Sequence, residues 1–193
     1  MNPAWRMFFA LMPGPRTRGR LHGLAVGLAA GQAARIVPAT NLHLTLLFLG
    51  QLAPERIASV ALAGQRAAAT SAPMTLAIER IGWFGQAGVV WGGPARAPMA
   101  LLALHEALAR ECLAAGLSVD RRALVPHLTL LRKVRRAPAP ALAAIDPPIV
   151  MPVRRLALLR SVSEPGGVRY RPLASWPLGA AGARPRIAAK RSA

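Results

Sequence analysis

Apolar and polar positions divide the chain into short runs of two periods. Trp5 to Met12 is a compact apolar run ended by Pro13-Gly14-Pro15, the pattern of a buried strand. Leu21 to Ala34 repeats apolar residues at helical spacing, weakened by Gly27 and Gly31. Leu42 to Leu49 is strand-like and Gly50 closes it, and Pro54 to Ala69 predicts a helix with Pro near its first turn. Met74 to Ile81 alternates as a strand does, and Val89-Val90-Trp91 is another, bounded by glycines. In the helix predicted over Pro98 to Gly116, Leu101, Leu104, Leu108, Cys112 and Leu113 share a face, and Gly116 is the cap. Leu124 to Leu131 is again strand-like. Pro138, Pro140, Pro147 and Pro148 mark loops around a short helix at Ala141 to Ala144. Two strands, Val153 to Val162 and Val168 to Leu173, follow, joined by the turn Glu164-Pro165-Gly166-Gly167. Strands mixed with two long helices predict an α+β fold.

Within this framework one pentapeptide occurs twice. His43-Leu44-Thr45-Leu46-Leu47 returns as His127-Leu128-Thr129-Leu130-Leu131, once in each half. On a strand, side chains alternate between faces. His43 and Thr45 therefore share one face, with Leu44 and Leu46 on the other, and the second copy repeats the arrangement. If a pseudo-two-fold axis relates the halves, two imidazoles and two hydroxyls meet in one cleft. That set suits in-line attack at phosphorus. Imidazole titrates near neutrality, so one ring can act as base while the other, protonated, acts as acid. The threonine hydroxyls can donate to non-bridging oxygens as charge develops there. No metal and no cofactor is expected. The chain has only four histidines, and neither motif has a nearby carboxylate, so zinc ligands are lacking.

Composition narrows the choice of partner. Among 193 residues, 25 Lys and Arg against 7 Asp and Glu give a net charge of +18. Such a surplus favours a polyanion, because clustered cations displace counterions from phosphates. One cysteine, Cys112, excludes an intramolecular disulfide framework and any cysteine-based zinc site, and its mid-helix place predicts a core thiol. The uncharged stretch Ile36 to Glu55 is broken by Pro38, Asn41, His43, Gln51 and Pro54, so no span of a bilayer is expected. The expectation is a soluble, cytoplasmic monomer.

At these residues the chain resembles the 2H phosphoesterase superfamily, named for two His-x-Thr/Ser-x motifs. It is most similar to the bacterial and archaeal RNA 2′,3′-cyclic phosphodiesterase family, first described as 2′-5′ RNA ligases. The resemblance rests on Asn41 to Gly50, on Pro126 to Arg132, on Arg6-Met7-Phe8-Phe9-Ala10, on Val89-Val90-Trp91, and on Arg169 to Leu173 with Trp176. It implies a bilobal fold of two antiparallel sheets around a central cleft, with helices outside. The domain is expected over residues 1–178, and because the chain from Gly179 is small, basic and acid-free, 179–193 is expected to be a basic, disordered tail. The resemblance also implies hydrolysis of an RNA terminal 2′,3′-cyclic phosphate to a 2′-phosphate. By position, His43 would be the proton donor and His127 the proton acceptor, an order that the near-symmetric repeat does not itself decide. Reversible 2′-5′ ligation, another 2H cyclic phosphodiesterase, and a non-catalytic RNA-end-binding module are the alternatives.

Among the neighbours, Arg132 is expected to bind phosphate. It has the opposite strand parity from His127, so reaching the cleft requires a bend. Arg121, Arg122, Lys133, Arg135 and Arg136 make a basic stretch suited to an RNA backbone. Trp83, Phe84, Trp91 and Tyr170 are either core or stacking platforms for a base, with Tyr170 the substrate-binding candidate. His22 and His105 are expected at ordinary surface or boundary positions.

Overall fold

Strand β1 (Trp5–Leu11) realises the first apolar run, and Pro15, whose missing N–H is harmless at the first helical position, opens α1 (Pro15–Ala29). The chain continues through β2 (Arg35–Ile36), β3 (Leu44–Leu52), α2 (Ile57–Ala69), β4 (Met74–Phe84), β5 (Val89–Gly93) and α3 (Met99–Ala114). It ends with β6 (Leu128–Arg132), β7 (Ala144–Val153), β8 (Arg155–Glu164), β9 (Gly167–Pro177) and β10 (Arg186–Ile187). This computed structural model describes residues 4–31, 33–120, 122–136, 144–165, 167–180 and 186–187.

The strands pair antiparallel in the order β10-β9-β8-β1-β3-β6-β5-β4-β7, with β2 beside β6. The two expected sheets are joined into one, with β9-β8-β1-β3 and β6-β5-β4-β7 as its halves. They touch through one register pair, Leu44 with Leu128. Each half contains strand, helix and motif strand in succession: β1-α1-β3 and β5-α3-β6. The helices cross between halves. α1 packs on β6 and β7, α3 on β3 and α2, and α2 on β8 and β9. α1 buries Thr17, Leu21, Ala25 and Leu28 along one stripe, and the Thr17 hydroxyl donates to the Val150 carbonyl at 2.8 Å. Leucines 44, 46, 128 and 130 join a single apolar core spanning both halves. That shared core fixes the two motif strands relative to each other.

Trp176 on β9 is 1% exposed and packs against Phe9 with ring centroids 6.2 Å apart. Trp176→Ala should destabilise by about 3–5 kcal/mol. A lower urea midpoint at unchanged slope checks this.

Several boundaries differ from the sequence reading. α1 begins at Pro15 rather than Leu21, because its arginine-bearing first turn is mostly exposed and hides the periodicity. β3 runs through Gly50, whose φ of 71° admits a bulge opposite β1, so that residue does not close the strand. β6 starts at Leu128, since Leu124 to His127 make no ladder pairs. Pro138 and Pro140 lie outside the described residues, and the loop marked by Pro147 and Pro148 is instead the edge strand β7. Its register with β4 jumps from Ile78–Ile149 to Arg80–Ala144, which leaves Pro147 and Pro148 outside the ladder. Of the helix expected at 141–144, Ala144 belongs to β7 and the rest lies outside the described residues. Of the expected tail, Arg186–Ile187 pair with Ser175 and Ala174, and 181–185 and 188–193 lie outside the described residues. Arg121 lies outside them as well. Cys112 is fully buried, and burial pushes its thiol up to about 12, consistent with a core thiol.

Candidate active site

The motif strands carry the same irregularity at the same place. Against β1, β3 skips from Leu47 to Thr45; against β5, β6 skips from Leu131 to Thr129. Each bulge puts two leucines into the core in succession, 46 with 47 and 130 with 131. The residue after them therefore returns to the face of the histidine and threonine. This is the bend that Arg132 requires, and it brings Phe48 to the equivalent place in the first copy.

The Leu44–Leu128 pair joins the motif strands at the residue directly after each histidine. His43, Thr45, His127 and Thr129 line one cleft of about 610 Å³, together with Arg132 and Tyr170. Every residue expected at the site is therefore gathered there. The two imidazoles are held alike. His43 Nδ1 lies 2.7 Å from the Asn41 carbonyl and His127 Nδ1 lies 2.7 Å from the Val125 carbonyl. A carbonyl only accepts, so Nδ1 carries the proton and donates in both rings. Each Nε2 is then the atom left for chemistry.

Each ring is also walled by aromatics. His43 meets Phe8 at 5.1 Å and Tyr170 at 4.6 Å between ring centroids; His127 meets Phe84 at 5.2 Å and Trp91 at 6.2 Å. Trp91 lies flat on Gly82, where any β-carbon would collide with the indole. Burial among these rings lowers His43 to about 4, with the charges of Arg132 and His127 adding to the effect and the bond to Asn41 opposing it. His127 is lowered for the same reasons, burial first and then Arg132, against the bond to Val125. Both shifts favour the neutral imidazole.

The His43 shift has a sign for stability. Its folded value lies below the ordinary 6.5, so between 6.5 and 4 the unfolded chain binds more protons. The wild-type Tm should fall as pH drops through that window, and His43→Gln should fall less steeply. Thermal melts across the window measure this.

The sequence reading missed several cleft residues. Arg6, Arg35, Thr40, Ser161 and Arg169 also line it. Arg35 pairs in register with Arg132 across β2 and β6, which brings two guanidinium-bearing residues side by side. The Asn41 amide donates to the Val168 carbonyl at 2.6 Å and ties the start of β9 to the motif loop. His105 Nδ1 sits 2.9 Å from the carbonyl of the bulged Leu46, so this boundary histidine braces the motif strand from behind. Phe8 shares its strand face with Arg6 and Ala10, a parity that the all-apolar run around it conceals. Among the described residues no cluster of three His, Cys, Asp or Glu could hold a metal ion, and no helix is long and apolar enough to cross a membrane.

This pair of pseudo-symmetric strands, each presenting an imidazole and a hydroxyl to one cleft, defines a two-histidine α+β architecture. Residues 24–164 match the family model described as the 2′-5′ RNA ligase superfamily, and the chain belongs to that family. It is 31% identical over 182 residues to the RNA 2′,3′-cyclic phosphodiesterase of Escherichia coli (strain K12), covering 92% of this chain and 99% of that one. A protein of the same description from Thermus thermophilus is 32% identical over 174 residues, 86% of each chain. Among solved structures, E. coli LigT complexed with 3′-AMP superposes with a TM-score of 0.79 at 28% identity, covering 92% of this chain and 99% of that one.

Proposed function

We propose that this protein hydrolyses the 2′,3′-cyclic phosphate at the end of an RNA strand, leaving a 2′-phosphate. The observation that carries the reading is the matched pair of histidines, each with Nδ1 tied to a carbonyl two residues back and Nε2 left for proton transfer in one cleft. The names of the relatives support it, as does the 3′-AMP complex of LigT, which is a nucleotide bound by a protein of this fold.

His127, neutral, takes a proton from water through Nε2 as the water oxygen bonds to phosphorus. The bond from phosphorus to the 3′-oxygen breaks, and His43, protonated, gives its Nε2 proton to that oxygen. A 3′-hydroxyl and a 2′-phosphate result. Thr45 and Thr129 donate hydrogen bonds to the non-bridging oxygens, and Arg132 balances their charge. Burial and the charge of Arg132 favour neutral His43; a bound phosphodiester anion opposes the charge of Arg132 and favours proton uptake by His43. The steps are proton transfers, so the reading needs neither metal nor cofactor. One chain supplies both histidines, so it requires no second copy.

An oligoribonucleotide ending in a 2′,3′-cyclic phosphate, incubated with the protein in EDTA, tests this. Conversion to a 2′-phosphate end is expected. A 3′-phosphate product, binding without turnover, or loss of activity in EDTA would contradict it. The family's description favours a second reading, in which an RNA 5′-hydroxyl replaces water and a 2′-5′ linkage forms. A joined product with an acceptor strand would identify it.

A further inference from the structure

A second cavity, of about 890 Å³, opens beside the catalytic cleft and shares Thr40 and Tyr170 with it. Its floor continues the same sheet face. Phe8, Ala10, Ala157 and Leu159 form a small apolar cluster there, with Met12 and Tyr170 packed against it. The far wall comes from β7 and the start of α1, through Val150, Pro152 and Pro15.

Four arginines surround this apolar floor: Arg16, Arg20, Arg154 and Arg155. Among the described residues no carboxylate lines the cavity. Neutral acceptors position two of the guanidinium groups without cancelling their charge. Arg155 donates to the Ser175 hydroxyl and carbonyl at 3.0 Å, and Arg20 to the carbonyls of Pro147 and Pro148 at 3.3 Å. Among the described residues Arg16 and Arg154 form no salt bridge. Gathering four such cations costs repulsion that a polyanion relieves. Unpaired nucleotides are held by stacking of bases on aromatic rings with cations along the backbone, and Tyr170 and these arginines supply both.

We infer that this groove binds the RNA strand 5′ to the cyclic phosphate, running from His43 past Tyr170 and onto the floor at Met12 and Leu159. The inference rests on the proposed hydrolase reading and adds a strand-binding subsite to it. The groove makes the enzyme prefer a strand over a single cyclic nucleotide.

The test uses a fluorescent oligoribonucleotide of roughly ten nucleotides ending in a 2′-phosphate, within ordinary single-strand site sizes. Its binding to wild type, to the double variant Arg16→Ala/Arg154→Ala and to Arg110→Ala is measured by anisotropy over a salt series. Arg110 lies on α3 and lines neither cavity. The double variant should bind about tenfold more weakly, with a log–log salt slope lower by about 1.4, from two lost contacts of about 0.7 each. The ratio of kcat/KM for the cyclic-ended strand to that for a 2′,3′-cyclic mononucleotide should fall in parallel. Arg110→Ala should match wild type. A double variant with wild-type affinity, slope and ratio would overturn the groove while mononucleotide turnover left the hydrolase reading standing. Turnover of neither substrate by wild type, with strand binding still dependent on Arg16 and Arg154, would overturn the hydrolase reading and leave the groove.

Discussion

Replacing either His43 or His127 with alanine is expected to lower kcat by about 10²–10⁴-fold, the usual worth of a positioned proton donor or acceptor. Both rings stand at the cleft wall and not in the core, so the fold should survive, as circular dichroism can check. The two losses should not multiply in the double variant. In the proposed mechanism acid and base act on the same phosphorus in one step, and groups that work as a unit are strongly non-additive. Single-turnover hydrolysis of a cyclic-ended strand reads all three variants. A single variant within a few-fold of wild type would remove that imidazole from the mechanism.

Removing the Arg132 cation is the next largest change. Arg132→Ala should lower kcat/KM by about 10²–10³-fold, as deletion of a charge-stabilising donor does elsewhere. It should also move the pH profile, and the sign follows from the depressed histidines. The proposed mechanism needs His43 protonated and His127 neutral. With His43 near 4 and His127 below its ordinary value in the free protein, the active form is most populated on the acid side of 6.5. Arg132 is among the causes that lower both rings. Its loss should therefore shift the optimum of kcat/KM to higher pH. A rate loss with no shift would place Arg132 too far from the histidines to act on them, and a shift with no rate loss would deny it the phosphate.

The meeting of the two histidines and two threonines in one cleft was legible because one short pattern performs two tasks at once. In His-Leu-Thr-Leu the leucines announce a half-buried strand, and the same alternation puts imidazole and hydroxyl together on the other face. The α+β class followed from similar local signals. What stayed hidden depends on single-residue insertions or distant contacts. A bulge between Leu46 and Leu47, or between Leu130 and Leu131, changes nothing in the run of leucines. It nonetheless decides that Arg132 faces the cleft. β7 was masked by Pro147, Pro148 and Pro152, whose acceptability rests on an edge position known only from the finished sheet. The ring walls of Phe8 against His43 and Phe84 against His127 join separate strands, so no local pattern reveals them. The Arg35–Arg132 pairing is equally remote, resting on a two-residue strand too short to leave a period.

The most direct test is kcat/KM against pH for wild type, His43→Ala and His127→Ala on a 2′,3′-cyclic-ended strand. Wild type should give a bell. His43→Ala, retaining only the base, should lose the alkaline fall and rise to a plateau. His127→Ala, retaining only the acid, should lose the acid limb and decline as pH rises. A full bell in either variant, or the two limbs exchanged, would contradict the account: the first would deny that these two rings are the acid and base, and the second would reverse their roles.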